Sequence, residues 1–168
     1  MDAGSATSDF ALYLLRHAHA GNPAEWTGDD AQRPLSNKGR RQADRLGQFL
    51  AERGFAPDAI VSSPKLRARQ TAERIADAIG IGISLDERLA QPLDLDVVGS
   101  IIDGMGGTSA VLVGHDPDFS ELAASLCGAA YLPLRKGALA RIDLSLPLQP
   151  AAGIMRWLLP PELVLDRT

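Results

Sequence analysis

Phe10-Ala11-Leu12-Tyr13-Leu14-Leu15-Arg16-His17 is the stretch on which the fold turns. Residues 10–15 form an unbroken apolar run of strand length, the pattern of a strand buried on both faces of a sheet. The run stops at Arg16 and His17, so a guanidinium and an imidazole stand where the strand ends. The same order then recurs along the chain. Ala59 to Ser62 (AIVS) reads as a strand, and Ser63 and Pro64 open a helix whose buried stripe is Ala68, Ala72, Ile75, Ala76 and Ile79 before Gly80. Ala110 to Val113 (AVLV) reads as another, leading through Gly114, His115, Asp116 and Pro117 into a helix carrying Phe119, Leu122, Ala123 and Leu126. Between the first two strands, Ser36 caps a helix with Ala43, Leu46, Phe49 and Leu50 on one face and Gly54 at its end.

Alternating strands and helices predict a three-layer α/β/α sandwich with a largely parallel central sheet. Leu139 to Leu144 and Ile154 to Leu159 read as closing strands, with Pro147 and Pro150 in the loop between them. The segment from Ala20 to Pro34 holds Gly21, Pro23, Gly28, Asp29, Asp30 and Pro34 and reads as a long loop, a common place for function. Residues 1–168 are expected to form a single domain, with residues 1–9 as a flexible tail. Ligands of open α/β sheets bind beyond the carboxyl ends of the strands. Arg16 and His17, Ser62 and Ser63, and Gly114 and His115 all fall at such ends.

The 168 residues include 45% hydrophobic side chains, enough for a substantial core, and the formal charge is -4. Acidic and basic residues are mixed along the chain, so there is no basic stripe for nucleic acid or an anionic membrane. Any phosphate substrate must find its cations in a few local arginines. Cys127, the single cysteine, cannot form an internal disulfide, and residues 1–9 lack the features of a secretory signal. A cytoplasmic protein is expected. No apolar run approaches the roughly 20 residues of a membrane span.

Phosphoryl transfer needs an in-line nucleophile and donors for the equatorial oxygens. Arg16 and Arg67 offer forked N–H donors suited to phosphate, a neutral His17 can attack phosphorus, and a protonated His115 can stabilise the developing charge. Each of these residues alone is ordinary surface or hydrogen-bonding chemistry. Their joint placement at three strand ends is what points to a site.

Four segments carry a resemblance: Leu15-Arg16-His17-Ala18; Arg33-Pro34-Leu35-Ser36 with Gly39; Ser63-Pro64-Lys65-Leu66-Arg67-Ala68-Arg69-Gln70-Thr71-Ala72; and Val113-Gly114-His115-Asp116-Pro117. In this order they resemble the motifs of the histidine phosphatase superfamily, whose fold is phosphoglycerate mutase-like. The resemblance implies that His17 is the phosphorylated nucleophile, that Arg16 and Arg67 bind phosphate, and that His115 is the second pocket histidine. Short length, Ala18 after the Arg-His pair, and the RPLS segment resemble the SixA-type phosphohistidine phosphatases. The substrate so implied is a phosphorylated protein or a small phosphorylated compound, with no cofactor and no metal.

Many members that cleave phosphate esters carry a carboxylic acid for the leaving group, and here Gln91 stands at the expected place. An amide is not an acid near neutrality. Asp116 has two readings, a proton donor as in the acid-phosphatase branch and a cap for the helix beginning at Pro117. Asp86 and Glu87 are further candidates, and the site can also lack a dedicated acid. A phosphoramidate needs that acid less, which favours phosphohistidine over esters. Small-metabolite phosphomonoesterase and non-catalytic phosphate-binding module are the alternatives. His19 reads as a structural histidine, Arg135 and Lys136 as a solvated turn before Gly137 in preference to a pocket rim that steers an acidic substrate, and Arg33 as a residue drawn toward the site by its motif.

Other phosphatase chemistries do not fit. Pro133 stands six residues after Cys127, where a cysteine-dependent phosphate loop needs arginine. Asp94-Leu95-Asp96-Val97-Val98 matches an aspartate-nucleophile signature but follows no apolar strand, and it reads as a helix start. Three scattered histidines and one cysteine make no metal site.

Overall fold

A computed structural model describes residues 8–164. The opening apolar run lies within β1 (Ser8–Arg16), which is flanked by β4 (Ser109–Gly114) in parallel and β5 (Leu139–Leu146) in antiparallel pairing. Because strand side chains alternate, Phe10, Leu12 and Leu14 enter one core while Tyr13 and Leu15 enter the other. This is why the run is continuous rather than alternating.

The sheet has six strands in the order β3-β2-β4-β1-β5-β6, with β2 at Ala59–Ser62, β3 at Ser84–Leu85 and β6 at Ile154–Leu159. The β1–β4, β2–β4 and β2–β3 pairs are parallel, and β1–β5 and β5–β6 are antiparallel. Only β5 therefore runs against the others. On one face α1 (Asn37–Glu52) and α2 (Leu66–Ile79) bury Leu46, Leu50, Ala68, Ala72, Ile75 and Ala76. On the other, α3 (Leu95–Asp103) and α4 (Asp118–Cys127) bury Val98, Ile101, Ile102, Phe119, Leu122, Ala123 and Leu126. The result is the three-layer α/β/α sandwich.

Local chemistry sets the helix ends. Ser36 Oγ accepts from Gly39 N at 3.0 Å at the start of α1, and Asp94 caps α3 through Val97 N, so the aspartate-rich segment is a helix start. Gly80 closes α2 in the left-handed conformation. Two expectations need correction, and one strand has no counterpart in the sequence reading. Ser8 and Asp9 are not tail but pair with Leu146 and Ser145 of β5, while residues 1–7 lie outside the described residues. Ser63 and Pro64 precede α2, which begins at Leu66, because Ser63 N donates instead to Val113 O across the sheet. The two-residue strand β3 carries no apolar pattern and becomes a strand only by pairing with Val61 and Ser62 at the sheet edge.

Two glycines allow approaches that position the site. At Gly114, the last residue of β4, a Cβ would meet the Phe119 ring at 2.6 Å, so the first turn of α4 can close directly over the strand end. At Gly39 a Cβ would meet His19 O at 1.9 Å, so α1 presses against the backbone just beyond His17.

Candidate active site

Arg16 and Gly114 are register partners at the ends of β1 and β4, and His17 N continues the pairing by donating to Gly114 O at 3.0 Å. This brings His17 and His115, far apart in sequence, to a ring-centroid separation of 5.3 Å. Arg67 reaches them from the first turn of α2. Thr71, one turn on and fully buried, accepts from Ala18 N at 3.1 Å and donates to Arg67 O at 2.7 Å. That stitch ties α2 to the segment after His17. Thr71 was visible in the sequence only as part of a motif, and its contacts are what define its part in the site.

His17 is 5% exposed, and its Nδ1 lies 2.7 Å from Ala18 O. A carbonyl can only accept, so Nδ1 carries the proton and Nε2 is left with a lone pair. Burial above all, then the nearby His115, Arg67 and Arg16, pushes the His17 pKa down to about 3, against the hydrogen bond to Ala18. The imidazole is neutral at physiological pH, as a nucleophile must be. His115 is likewise pushed to about 3, first by burial and then by Arg67 and Lys65. His115 is therefore neutral near pH 7. Its Nε2 lies 2.8 Å from Ser63 Oγ, and donation from that hydroxyl to Nε2 puts the ring proton on Nδ1, which has no partner.

Buried polar atoms normally have partners. Among the described residues, the buried side-chain atoms without one are Arg16 Nε, Arg67 Nε and His115 Nδ1. All three belong to the predicted site. A tetrahedral oxyanion would satisfy such donors.

The remaining contacts hold these groups in place. Arg16 Nη1 donates to Leu134 O at 2.8 Å and lies 3.2 Å from Asp116 Oδ2. Asp116 accepts from Ser120 N at 3.0 Å and from Ser120 Oγ at 2.6 Å, so the capping role is present and the same carboxylate also braces Arg16. The loop after β1 contains two short 3-10 turns, Pro23–Glu25 and Asp30–Gln32. From the second, the Asp30 carboxylate bridges Arg33 Nε at 2.9 Å and Arg67 Nη2 at 3.1 Å, while Asp30 O accepts from Arg67 Nη1 at 2.8 Å. Sequence reading took Asp30 as a loop residue. Its pKa is held below the ordinary carboxylate range, chiefly by the hydrogen bond from Arg33.

The remaining candidates are exposed or have partners of their own. Asp86 caps the 3-10 turn Glu87–Ala90 and pairs with Arg88, and Glu87 and Gln91 are exposed. His19 is structural as expected, with Nδ1 2.6 Å from Ser36 Oγ. Arg33 is 6% exposed and donates to Ala20 O, so its motif does bring it inward. Arg135 is exposed and pairs with Glu162, but Lys136 is half-buried, and burial first, then the charges of Arg16, Arg33, Arg67 and Lys38, lowers its pKa. The solvated-turn reading holds for Arg135 and not for Lys136. A groove of about 660 Å³ leads from Arg16 and Asp116 along α4 to Tyr131. No described helix is long and apolar enough to cross a membrane.

The profile of the histidine phosphatase superfamily (branch 1) matches residues 12–91. A protein of Picosynechococcus sp. (strain PCC 7002), itself uncharacterised, is 33% identical over 170 residues, covering 89% of this chain and 99% of that protein. The chain belongs to the histidine phosphatase superfamily, and its enzyme class is that of a phosphatase. Phosphohistidine phosphatase SixA of Escherichia coli K12 is 24% identical over 156 residues, covering 89% of this chain and 93% of SixA. A solved structure of the protein histidine phosphatase SixA complexed with tungstate matches the fold with a TM-score of 0.77 at 22% identity, over 93% of this chain and 100% of that one.

Proposed function

We propose that this protein hydrolyses phosphoryl groups through a covalent phosphohistidine on His17, and that its substrate is phosphohistidine carried by a protein, in the cytoplasm. The observation that carries the reading is the pairing of a pinned nucleophile with unfilled donors. His17 Nδ1 is held by Ala18 O, which leaves Nε2 for phosphorus, and three buried donors around it lack partners.

In this reading Nε2 attacks phosphorus as the bond to the leaving group breaks, and water then attacks the phosphoryl-imidazole. Arg16, Arg67 and His115 hold the equatorial oxygens throughout, and their cations and dipoles are most effective in a buried site. An incoming dianion also favours protonation of His115, which strengthens its donation as charge develops. Asp116 braces Arg16, and Asp30 holds the outer edge of Arg67 so that Nε remains directed away from the clamp.

Preference for phosphohistidine is supported by the exposed amide of Gln91 where an ester-cleaving relative would carry an acid, and by the likeness to SixA. General acid catalysis contributes typically about 10²–10⁴-fold, so a site without a carboxylic acid loses most on ordinary alkyl esters. The test is the ratio of kcat/KM for a phosphohistidine protein to that for unactivated alkyl phosphates, with His17→Ala alongside. A large ratio is expected. Comparable values would reassign the protein to small phosphate esters, and phosphate binding without turnover would make it a binding module.

A further inference from the structure

We propose that Ser63 is a positioning residue whose hydroxyl fixes the tautomer of His115, so that Nδ1–H is the edge this ring presents to the phosphoryl oxygens, a role that rests on the reading of His17 as the nucleophile.

Ser63 follows β2 directly and is fully buried. Strands β2 and β4 pair in register as far as Ser62 and Val113. Ser63 N extends that pairing by donating to Val113 O at 2.9 Å, two residues before His115. Its Oγ accepts from Lys65 N at 3.3 Å and lies 2.8 Å from His115 Nε2. The serine is thus held by backbone on one side and by the entry to α2 on the other. Its hydroxyl meets the edge of His115 opposite Nδ1, the buried nitrogen without a partner.

Two arrangements of the proton are possible across this contact, and hydrogen-bond satisfaction separates them. If Nε2–H donated to Oγ, the hydroxyl proton would need a further acceptor. Among the described residues Ser63 Oγ has no contact besides Lys65 N and His115 Nε2, so a buried O–H would be left unmatched. Nδ1 would also carry a lone pair in a pocket built for oxyanions. If the hydroxyl instead donates to Nε2, every polar group of the pair is matched except Nδ1–H. A phosphoryl oxygen satisfies that one.

The two site histidines then share a tautomer and use opposite edges. A backbone carbonyl holds the proton on Nδ1 of His17 and leaves its Nε2 lone pair for attack. A hydroxyl holds the proton on Nδ1 of His115 by occupying its Nε2, which leaves a donor for the same phosphoryl group. A hydroxyl can also turn and accept, which a carbonyl facing Nε2 could not reverse. When an incoming dianion protonates the His115 ring, the added proton goes to Nε2 and Nδ1–H stays where the substrate needs it.

Long-range ¹⁵N–¹H correlation spectra of histidine-labelled protein read which nitrogen carries the proton, with His115→Ala assigning the signals. Wild type should show His115 as Nδ1–H, and Ser63→Ala should shift it toward the Nε2–H form that free histidine prefers. Nε2–H in wild type, or an unchanged tautomer in Ser63→Ala, would overturn the proposal. In kinetics, Ser63→Ala should lower kcat by about 10-fold, and equally on p-nitrophenyl phosphate, phenyl phosphate and phosphoramidate, because all three present the same equatorial oxygens. In a His115→Ala background the same change should cost under about 2-fold, since Ser63 acts only through that ring. An equal loss in both backgrounds would make Ser63 merely structural and remove the inference. Turnover retained in His17→Ala would remove the reading beneath it, while the spectra, which need no turnover, still report on Ser63.

Discussion

The floor and the mouth of the pocket are built on opposite terms. At the floor, where His17 lies, Arg16, His115 and Arg67 stand at the ends of β1 and β4 and in the first turn of α2, and Arg16 Nε, His115 Nδ1 and Arg67 Nε are buried without protein partners. At the mouth, Asp30 and Asp116 come from a loop and from a helix entry, and each is engaged by an arginine. A rigid frame can keep donors unfilled, because the sheet prevents their collapse onto one another. A loop cannot, so its groups are paired off and act by orienting the arginines. In the proposed reaction the unfilled donors take the substrate, and the filled ones hold the site in shape.

Removing a floor group should have the largest effect. His17→Ala deletes the attacking atom and should lower turnover by about 10⁴-fold or more while phosphate still binds. Assays on phosphoramidate and p-nitrophenyl phosphate, with phosphate binding by calorimetry, check both halves. Retained turnover would end the comparison, since the floor would then not be where chemistry occurs. Arg67→Ala comes next, with a loss in kcat of about 10²–10³-fold expected for one transition-state donor.

At the mouth the effects should be smaller and of another kind. Asp30→Asn keeps the shape but weakens the clamp on Arg33 and Arg67. KM should rise by about 3- to 10-fold, the worth of one partly exposed charged contact, with kcat little changed. A fall in kcat as large as that of Arg67→Ala would place Asp30 with the floor.

Stability sharpens the same contrast. Gly39→Ala would place a Cβ 1.9 Å from His19 O, and the shift of α1 from the loop should cost about 1–3 kcal/mol, read as a lower Tm. The floor histidines predict a pH effect. Their folded pKa values lie near 3, below the roughly 6.5 of an unfolded histidine, so the unfolded state takes up more protons between those limits. Their contribution is present in full above about pH 6.5 and declines as pH falls toward 3. The drop in Tm from pH 7 to pH 5 should be smaller in His115→Gln than in wild type. An unchanged drop would show that His115 is not the group responsible.

Much of this architecture is legible in residue order. The strand over residues 10–15, the AIVS and AVLV strands, and the capping of α1 by Ser36 follow from apolar periodicity and side-chain hydrogen bonding, which act over a few residues. Arg16, His17, Arg67 and His115 were legible too, because α/β sheets bring strand ends together. Asp30 was not, since a loop aspartate looks the same in sequence whether it faces solvent or an arginine pair. Strand β3 was missed for a related reason, having only a neighbour's edge to make it a strand.

The sequence by itself determined the alternation of strand and helix, the two-sided burial of β1, and the residue types at three strand ends. Those depend on local conformational preference and on the removal of apolar surface from water. Only the tertiary structure decided that Nδ1 of His17 meets Ala18 O, that three buried side-chain nitrogens stay unfilled, and that the Asp30 carboxylate bridges Arg33 and Arg67. Protonation, orientation and partnership depend on groups distant in the chain, and they are defined only once packing has set the distances between them.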